Sequence, residues 1–307
     1  MKKCVMIFNS KSGRLKSRSM IREITNIIKQ YNYELKIIYT KRKGHATKIV
    51  RRLRNNIDLV ISAGGDGTFH EVISGNLKRI NKLLVANLPL GTTNDIGKMY
   101  GLDGSVKENL ENLLNGTKKN IDVCLANNSP FIYFLGFGNI IDVSYTTPKK
   151  LKEKYGHLAY VIHALKELKG RLKLYDLSYI IDGKEYSGKY SFVFITNSNH
   201  IAGFDNIYDD VKLDDNMFEV AFFNIKSKLS LIKVLCLFKI KCIEDIPDCE
   251  YFKTNNLKIK FNDENYESWC SDGEELKLDN RLIDISVNKE MNILIPNKNI
   301  DKLFINK

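Results

Sequence analysis

Residues 62–71, with the sequence SAGGDGTFHE, constrain the fold of this chain more than any other stretch. They follow the mostly apolar run 57–61, which has the length and composition of a buried parallel strand, and they lead into a segment with helical apolar spacing. Three glycines in four positions allow positive φ angles and the close approach of a ligand. The following helix offers free N–H groups, so the stretch predicts a phosphate-binding turn at the carboxyl end of a strand.

This turn does not match the best-known phosphate motifs. It lacks G-x-x-x-x-G-K-[ST], and His70 stands where the dinucleotide fingerprint requires its third glycine. Asp66 instead places a carboxylate inside the turn, where it would repel a polyphosphate unless a divalent cation lay between them. The turn therefore predicts a magnesium-dependent phosphate site.

A second turn of the same kind follows one strand later. The apolar run 83–87 ends in residues 88–95, which are rich in Pro, Gly, Thr and Asn and close on Asp95. Adjacent parallel strands end at the same edge of a sheet, so we expect Asp66 and Asp95 on one rim. Two carboxylates among many backbone donors indicate a platform for a metal-bound nucleotide.

The chain as a whole predicts two domains of different class. Strands and helices alternate up to residue 121, which is typical of a doubly wound α/β domain. From residue 131, short apolar runs and the hairpin signal Asp182-Gly183 predict an antiparallel, β-sandwich-like domain, interrupted chiefly by a helix at 149–169. A final strand is expected at 291–296, followed by the tail of the chain.

Charge, cysteine content and apolar runs limit the kinds of partner, metal site and cellular compartment that the chain can have. The net charge is +12; residues 1–60 carry +13 and the rest of the chain carries −1. The basic first part indicates attraction to anionic lipid or nucleotide, or else simply reflects a lysine-rich composition. The six cysteines form no C-x-x-C pair, which argues against zinc and disulfides. No apolar run approaches the roughly 18 to 20 residues that span a bilayer, and the amino terminus lacks a secretory apolar region. We expect a cytoplasmic protein.

Taken together, these motifs resemble the diacylglycerol kinase catalytic family, which includes bacterial lipid kinases and sphingosine kinases and has NAD kinases as distant relatives. The matching pieces run in order along nearly the whole chain: 9–13, 44–46, 64–71, 88–95, 154–160, 215–216 and 272–274. The resemblance implies an α/β nucleotide-binding domain at 1–125, completed by 290–307. It implies a β-sandwich-like domain with the lipid-acceptor site at 126–289.

The resemblance also implies which residues bind ATP and Mg²⁺. The residues expected around the nucleotide are Asn9, Ser10, Lys11, Ser12, Gly13, Thr40, Gly65, Asp66, Gly67, Thr68, Glu71 and Thr92. Asp66 and Asp95 would hold Mg²⁺, largely through water, and Asp122 would complete the acidic group. Judged locally, Asp122 is also compatible with an ordinary residue at the end of a strand.

A second, structural magnesium is implied at residues 212–217. Asp215 would supply its carboxylate, and Lys212 and Met217 would complete the site. Asn216 replaces the usual glycine after that aspartate, and since Asn tolerates the left-handed conformation better than most residues, we expect the turn to be kept.

For the catalytic base, the resemblance indicates Asp272 with Glu274 assisting. On spacing alone, Asp272-Gly273 is also a hairpin turn. His45 is a further candidate, although a histidine after Gly44 at a helix start is more typical of a polar cap. Residues 202–204 depart from a more glycine-rich family pattern, which leaves the acceptor pocket undefined.

These residues predict an ATP- and Mg²⁺-dependent lipid kinase that phosphorylates the hydroxyl of diacylglycerol or a similar membrane lipid. A phosphotransferase of the NAD kinase type and a non-catalytic basic lipid-binding protein are the alternatives; no RNA-binding motif supports nucleic acid as a partner. We expect peripheral contact with the anionic inner surface of the membrane. Residues 229–240, apolar and flanked by lysines, are a candidate for it, with a core helix as the alternative. The sequence does not decide whether the chain forms a homodimer.

Overall fold

The computed structural model describes residues 1–9, 18–138, 172–201, 204–238, 240–263, 268–277 and 281–305. The expected helix at 149–169, the matching segment 154–160 and residues Ser10, Lys11, Ser12 and Gly13 lie outside this part. The chain divides into two compact units. The first contains Met1–Asp122, Leu213–Asp215 and Lys289–Lys307, and the second contains Val123–Lys212 and Asn216–Asn288.

Helices and strands alternate in the first part of the chain, and strands dominate the rest. The early elements are β1 (Lys2–Phe8), α1 (Arg18–Gln30), β2 (Tyr33–Tyr39), α2 (His45–Arg51), β3 (Leu59–Gly64), α3 (Asp66–Leu77), β4 (Val85–Pro89), α4 (Asp95–Met99), α5 (Val106–Leu114) and β5 (Thr117–Ala126). The later elements are β6 (Ser129–Phe131), β7 (Phe134–Gly138), β8 (Tyr175–Ile181), β9 (Lys184–Tyr190), β10 (Phe192–Thr196), β11 (His200–Ile201), β12 (Phe204–Asp205), β13 (Phe218–Phe223), α6 (Lys228–Leu237), β14 (Cys249–Thr254), β15 (Asn256–Phe261), β16 (Trp269–Ser271), β17 (Glu274–Leu276), β18 (Leu282–Ile295) and α7 (Ile300–Leu303).

The first unit is built on a parallel sheet in the order β2-β1-β3-β4. Strand β3 is buried along its whole length, as expected of a central strand covered on both faces. Helix α1 packs against α5, and α2 packs against α3. The end of β18 adds a further parallel strand, with Ile293 beside Val85 of β4. The predicted doubly wound domain and the return of the carboxyl-terminal strand are therefore confirmed.

Three strand predictions need correction in their bounds. The runs 57–61 and 83–87 are observed as β3 (Leu59–Gly64) and β4 (Val85–Pro89), so each strand ends two or three residues later than expected. The cause is that the pairing continues into the glycine-containing turns, where Gly64 lies opposite Pro89. The strand expected at 291–296 is the end of the longer strand β18 (Leu282–Ile295).

The second unit contains antiparallel sheets that bury aromatic side chains. One sheet has the order β14-β13-β10-β7-β16-β17, and in the other β15 lies between β8 and the start of β18, with β9 at the edge. The ring of Phe137 in β7 lies 4.7 Å from that of Trp269 and 4.9 Å from that of Phe261 in β15. Because these rings come from both sheets, the core lies between them, as in the predicted sandwich-like domain.

The predicted hairpin at Asp182-Gly183 is confirmed. Ile181 of β8 pairs with Lys184 of β9, and the two residues between them have φ angles of 50° and 77°. This is the backbone that the short turn of a two-residue hairpin requires.

The cysteine thiols are free, and half of them are buried. Burial raises the pKa of the Cys4 thiol to about 12, so this side chain stays protonated and packs as an apolar group in β1. In the part of the chain that the structure describes, no helix has both the length and the apolar character needed to cross a bilayer.

Candidate active site

The first predicted phosphate turn joins β3 to α3. Gly65 precedes the helix with an extended backbone, and its carbonyl accepts a hydrogen bond from Thr68 N at 2.9 Å. The buried Thr68 hydroxyl accepts a hydrogen bond from Asn9 Nδ2 at 3.1 Å, and Asn9 N donates to Ala63 O at 3.0 Å. The structure therefore brings Asn9 and Thr68 together at the carboxyl ends of β1 and β3.

The second predicted turn lies directly against the first. A Cβ on Gly91 would lie 2.6 Å from Gly65 Cα, and Leu90 N donates to Gly64 O at 2.7 Å. Asn94 adopts the left-handed conformation with φ 53° and closes its own turn by accepting from Gly91 N at 2.8 Å. Only glycine fits at position 91, because any side chain would meet backbone of the other turn.

The Asp66 carboxylate links these two turns. Its Oδ2 accepts a hydrogen bond from Asp95 N at 3.0 Å, and its Oδ1 accepts one from Ile96 N at 3.2 Å. Asp66 is half-buried and Asp95 is buried. The expected neighbours Asp66 and Asp95 are thus in contact, and Asp66 is held in one orientation.

The other expected nucleotide residues of the first unit lie around these turns or beside them. Thr40 follows β2, and its N–H donates to Phe8 O at 2.9 Å, next to Asn9 in the chain. Gly67 lies half-buried in the first turn of α3, and Thr92 is exposed in the second turn. Asn9, Thr40, Gly65 and Thr92 therefore all lie just past the carboxyl ends of parallel strands, where α/β sheets bind ligands.

Glu71 makes contacts that the sequence did not indicate. Its Oε1 accepts a hydrogen bond from Gly44 N at 2.6 Å and its Oε2 accepts one from Ala46 N at 2.9 Å, so both oxygens face the start of α2. His45 Nδ1 accepts a hydrogen bond from Lys41 N at 3.0 Å, which is the local polar role that its position favoured.

The segment expected to hold a structural metal is ordered by backbone contacts. In the first unit, Leu213 O accepts from N of the buried Asp122 at 2.7 Å, and Leu213 N donates to Leu303 O at 2.8 Å. Asp215 is half-buried, and Asn216 has φ 63°, the left-handed turn anticipated from its sequence. In the second unit, Lys212 pairs with Asp210 at 3.2 Å, and Met217 is half-buried. The metal at this segment stays a prediction.

In the second unit, Asp272 is held by main-chain donors. It is 3% exposed; its Oδ2 accepts from Ile132 N at 2.8 Å, and its Oδ1 accepts from Tyr133 N at 3.0 Å and Phe134 N at 3.1 Å. Glu274 is exposed in β17, where it pairs with Ser271. No sequence signal could have found the three donors, because backbone amides are the same for every residue type except proline.

The two turns of the first unit fit a magnesium-bound nucleotide. Gly65 and Gly91 let the two turns pack backbone against backbone while both stay partly exposed, and Asp66 and Asp95 could supply oxygen ligands there. Among the described residues no group of three or more His, Cys, Asp or Glu could hold a metal. Asp66, Asp95 and Asp122 therefore form no such group of three in the structure, and the metal stays a prediction.

Comparison with known proteins defines the class. A family model described as the diacylglycerol kinase catalytic domain matches residues 3–126. Diacylglycerol kinases from Staphylococcus aureus strains bovine RF122 / ET3-1 and MRSA252 are each 32% identical over 218 residues, covering 71% of this chain and 69% of theirs. The chain belongs to the diacylglycerol kinase catalytic family. It is therefore a kinase, as the resemblance of its motifs implied.

Solved structures share the fold over the whole chain. A candidate diacylglycerol kinase from Bacillus anthracis str. Sterne has a TM-score of 0.82 at 23% identity and covers 97% of both chains. A diacylglycerol kinase from the same organism has a TM-score of 0.75 at 21% identity, with 97% of this chain and 98% of that chain covered. At these identities the likeness establishes the fold alone.

Proposed function

We propose that the chain is an ATP- and Mg²⁺-dependent lipid kinase that transfers the γ-phosphate to the hydroxyl of diacylglycerol, giving phosphatidate, or to a similar membrane lipid. The observation that carries the proposal is the Asp66 carboxylate, which bonds to the second turn through Asp95 N and Ile96 N. A carboxylate beside a bound polyphosphate would repel it unless a divalent cation lay between them. Diacylglycerol is the first choice of acceptor because the Staphylococcus aureus relatives are diacylglycerol kinases.

The first unit would bind and orient the nucleotide. The N–H groups in the first turn of α3 would bind the phosphates, next to the place where the two turns meet at Gly65 and Gly91. The Asn9–Thr68 contact would fix the end of β1 beside them. Asp66 and Asp95 would hold Mg²⁺, which would neutralise phosphate charge when bound, and Asp122 stays a prediction as a further member of the site. Because two N–H groups fix Asp66, its oxygens need no reorganisation when substrate enters.

The second unit would supply the base. Three N–H groups hold the Asp272 carboxylate in place, and this fixed carboxylate would accept the hydroxyl proton of the lipid. The proton of the attacking hydroxyl would pass to this carboxylate as the new O–P bond forms and the bond between the γ-phosphorus and the bridging oxygen of ATP breaks, releasing ADP. Glu274, exposed one residue beyond the turn, would assist.

Helix α6 supports contact with a membrane surface. Leu231, Val234 and Leu235 are buried, while Leu229 is 80% exposed and Ile240, just past the helix, is 77% exposed. Lys226, Lys233 and Lys241 are exposed on and beside the helix, and residues 224–242 contain no Asp or Glu. The inner face thus packs in the core, as the alternative interpretation of residues 229–240 expected. The outer face has the apolar and basic character that suits an anionic lipid surface.

The test is a phosphatidate assay. Purified protein with ATP, Mg²⁺ and mixed micelles of diacylglycerol should yield phosphatidate, and chelation of Mg²⁺ should stop the reaction until the ion is restored. Asp66→Asn should lower kcat by about 10³-fold, whereas Asp103→Asn, a change to an aspartate 67% exposed in the same unit, should have no effect. Thermal unfolding of both variants controls for loss of fold.

Two results would contradict the proposal, and a third would change only its acceptor. Formation of NADP from NAD without phosphatidate would favour the NAD kinase alternative. Salt-sensitive binding to vesicles with no ATP turnover would favour a non-catalytic lipid-binding protein. Turnover of a different lipid alcohol in a parallel panel would keep the kinase and replace its acceptor.

A further inference from the structure

Helix α2 is held at both ends by side chains of α3 and of the residues just past it. Glu71, Gly75 and Arg79 are spaced four apart, and all three meet α2. A helix of seven residues is too short to be stable on its own in water, so its position depends on these contacts.

At the start of α2, Glu71 supplies a cap that the local sequence lacks. Gly44 occupies the N-cap position with φ 75° and makes no side-chain cap bond. Both Glu71 oxygens accept N–H bonds there, from Gly44 at 2.6 Å and Ala46 at 2.9 Å, and Thr47 Oγ1 donates to Glu71 O at 3.0 Å. Hydrogen bonds to a carboxylate are stronger than neutral ones.

The middle and the far end of α2 are held as closely as its start. A Cβ on Gly75 would lie 2.6 Å from Thr47 O, so the two helix backbones touch there. Arg79 is 8% exposed, and its Nη1 donates to Val50 O at 3.0 Å and Leu53 O at 2.6 Å. Arg79 thus satisfies carbonyls at the end of α2, about 10 Å from the Glu71 contacts by the rise of the helix.

Only the Glu71 end adjoins the expected nucleotide site. Gly44 lies in a turn in which His45 N donates to Arg42 O at 3.1 Å. Lys41, directly after Thr40 at the carboxyl end of β2, joins this turn because its N–H donates to His45 Nδ1 at 3.0 Å. Glu71 itself lies one helical turn from Thr68, which contacts Asn9. The carboxylate therefore ties the turn that follows Thr40 to the helix that begins in the first phosphate turn.

We infer that Glu71 is a positioning residue for ATP, which acts by holding the turn 41–45 and through it Thr40. This inference rests on the proposed function. It assigns Glu71 an indirect role in nucleotide binding, since both of its oxygens are directed to α2.

The experiment compares Glu71→Gln with Arg79→Met. The glutamine oxygen can accept a hydrogen bond from one of the two N–H groups, but its NH₂ group then faces the other N–H group, and two donors cannot bond to each other. Glu71→Gln should raise the KM for ATP and the Kd for ATP, measured by calorimetry, about tenfold while kcat changes less than about threefold. Arg79→Met should lower the melting temperature but leave both constants within about twofold of the wild type.

Amide hydrogen exchange supplies a readout independent of turnover. In Glu71→Gln, exchange at Gly44 and Ala46 should become about tenfold faster, while in Arg79→Met these two amides should keep their wild-type rates. Glu71→Asp, which retains the charge on a shorter side chain, should recover part of the lost affinity.

Equal rises in Kd for both variants would overturn the inference, because they would show a general loss of structure. An unchanged Kd in Glu71→Gln would overturn it too, whether or not exchange quickens. A wild type that binds ATP but phosphorylates no lipid would instead overturn the proposed function, and the comparison of Kd values would still test Glu71.

Discussion

Two hairpins of the second unit are closed by the same dipeptide, yet their aspartates have different surroundings. Asp182-Gly183 has φ angles of 50° and 77°, and Asp272-Gly273 has 48° and 82°, so the backbones of the turns match. Asp182 is exposed and accepts one side-chain bond, from Thr254 Oγ1 at 2.9 Å. Asp272 is 3% exposed and accepts three backbone N–H bonds. The dipeptide thus determines the turn, and its neighbours determine what the carboxylate can do.

The largest expected difference between the hairpins is in catalysis. Asp272→Asn should lower kcat for phosphatidate formation by about 10³-fold, because the amide cannot accept the hydroxyl proton. Asp182→Asn should leave kcat within about twofold of the wild type, because its carboxylate is at the surface. Both variants keep a residue type that tolerates positive φ, so the turns are retained. Equal activity of the two variants would remove Asp272 from the mechanism.

The second difference is in stability. Alanine at either aspartate incurs about 1 kcal/mol of strain from the positive φ, so the difference between the variants reports on the hydrogen bonds. Asp272→Ala should reduce the free energy of unfolding by about 3 kcal/mol more than Asp182→Ala, since it leaves three buried N–H groups without their acceptor. Thr254 Oγ1 keeps Asn256 O as an acceptor at 3.2 Å when Asp182 is replaced. Urea denaturation measures both values, and similar losses would contradict the contrast in burial.

The smallest effect tests whether the two backbones are equivalent. An added Cβ meets nothing within 4 Å at Gly183 and only Tyr133 Oη at 4.0 Å at Gly273, so space does not oppose alanine at either position. Gly183→Ala and Gly273→Ala should each cost about 1 kcal/mol, from the positive φ alone. A much larger loss at Gly273 in the same denaturation assay would show that the buried aspartate strains its turn.

Local features of the fold were predictable from the sequence. The glycine-rich turn after β3, the hairpin at Asp182-Gly183 and the left-handed Asn216 each depend on the conformational preferences of one or two residues. Strand bounds were less accurate, because pairing continued into the turns up to Gly64 and Pro89.

Contacts between distant residues were not predictable in the same way. Asp272 and the amides of residues 132–134 are about 140 positions apart, and the resemblance marked the aspartate but not its donors. The spacing of Glu71, Gly75 and Arg79 was visible in the sequence, but nothing in it indicated that α2 would lie against them.

The sequence alone determined where this chain turns, which strands are buried and which residue types lie at the strand ends. The reason is that glycine, aspartate and apolar spacing act on the nearby backbone. The tertiary structure decided that Asp66 bonds to the second turn, that Glu71 faces α2 and that Asp272 is enclosed by amides. Those outcomes depend on which backbone donors the folded chain brings to each carboxylate, and a backbone donor has no side chain to reveal it.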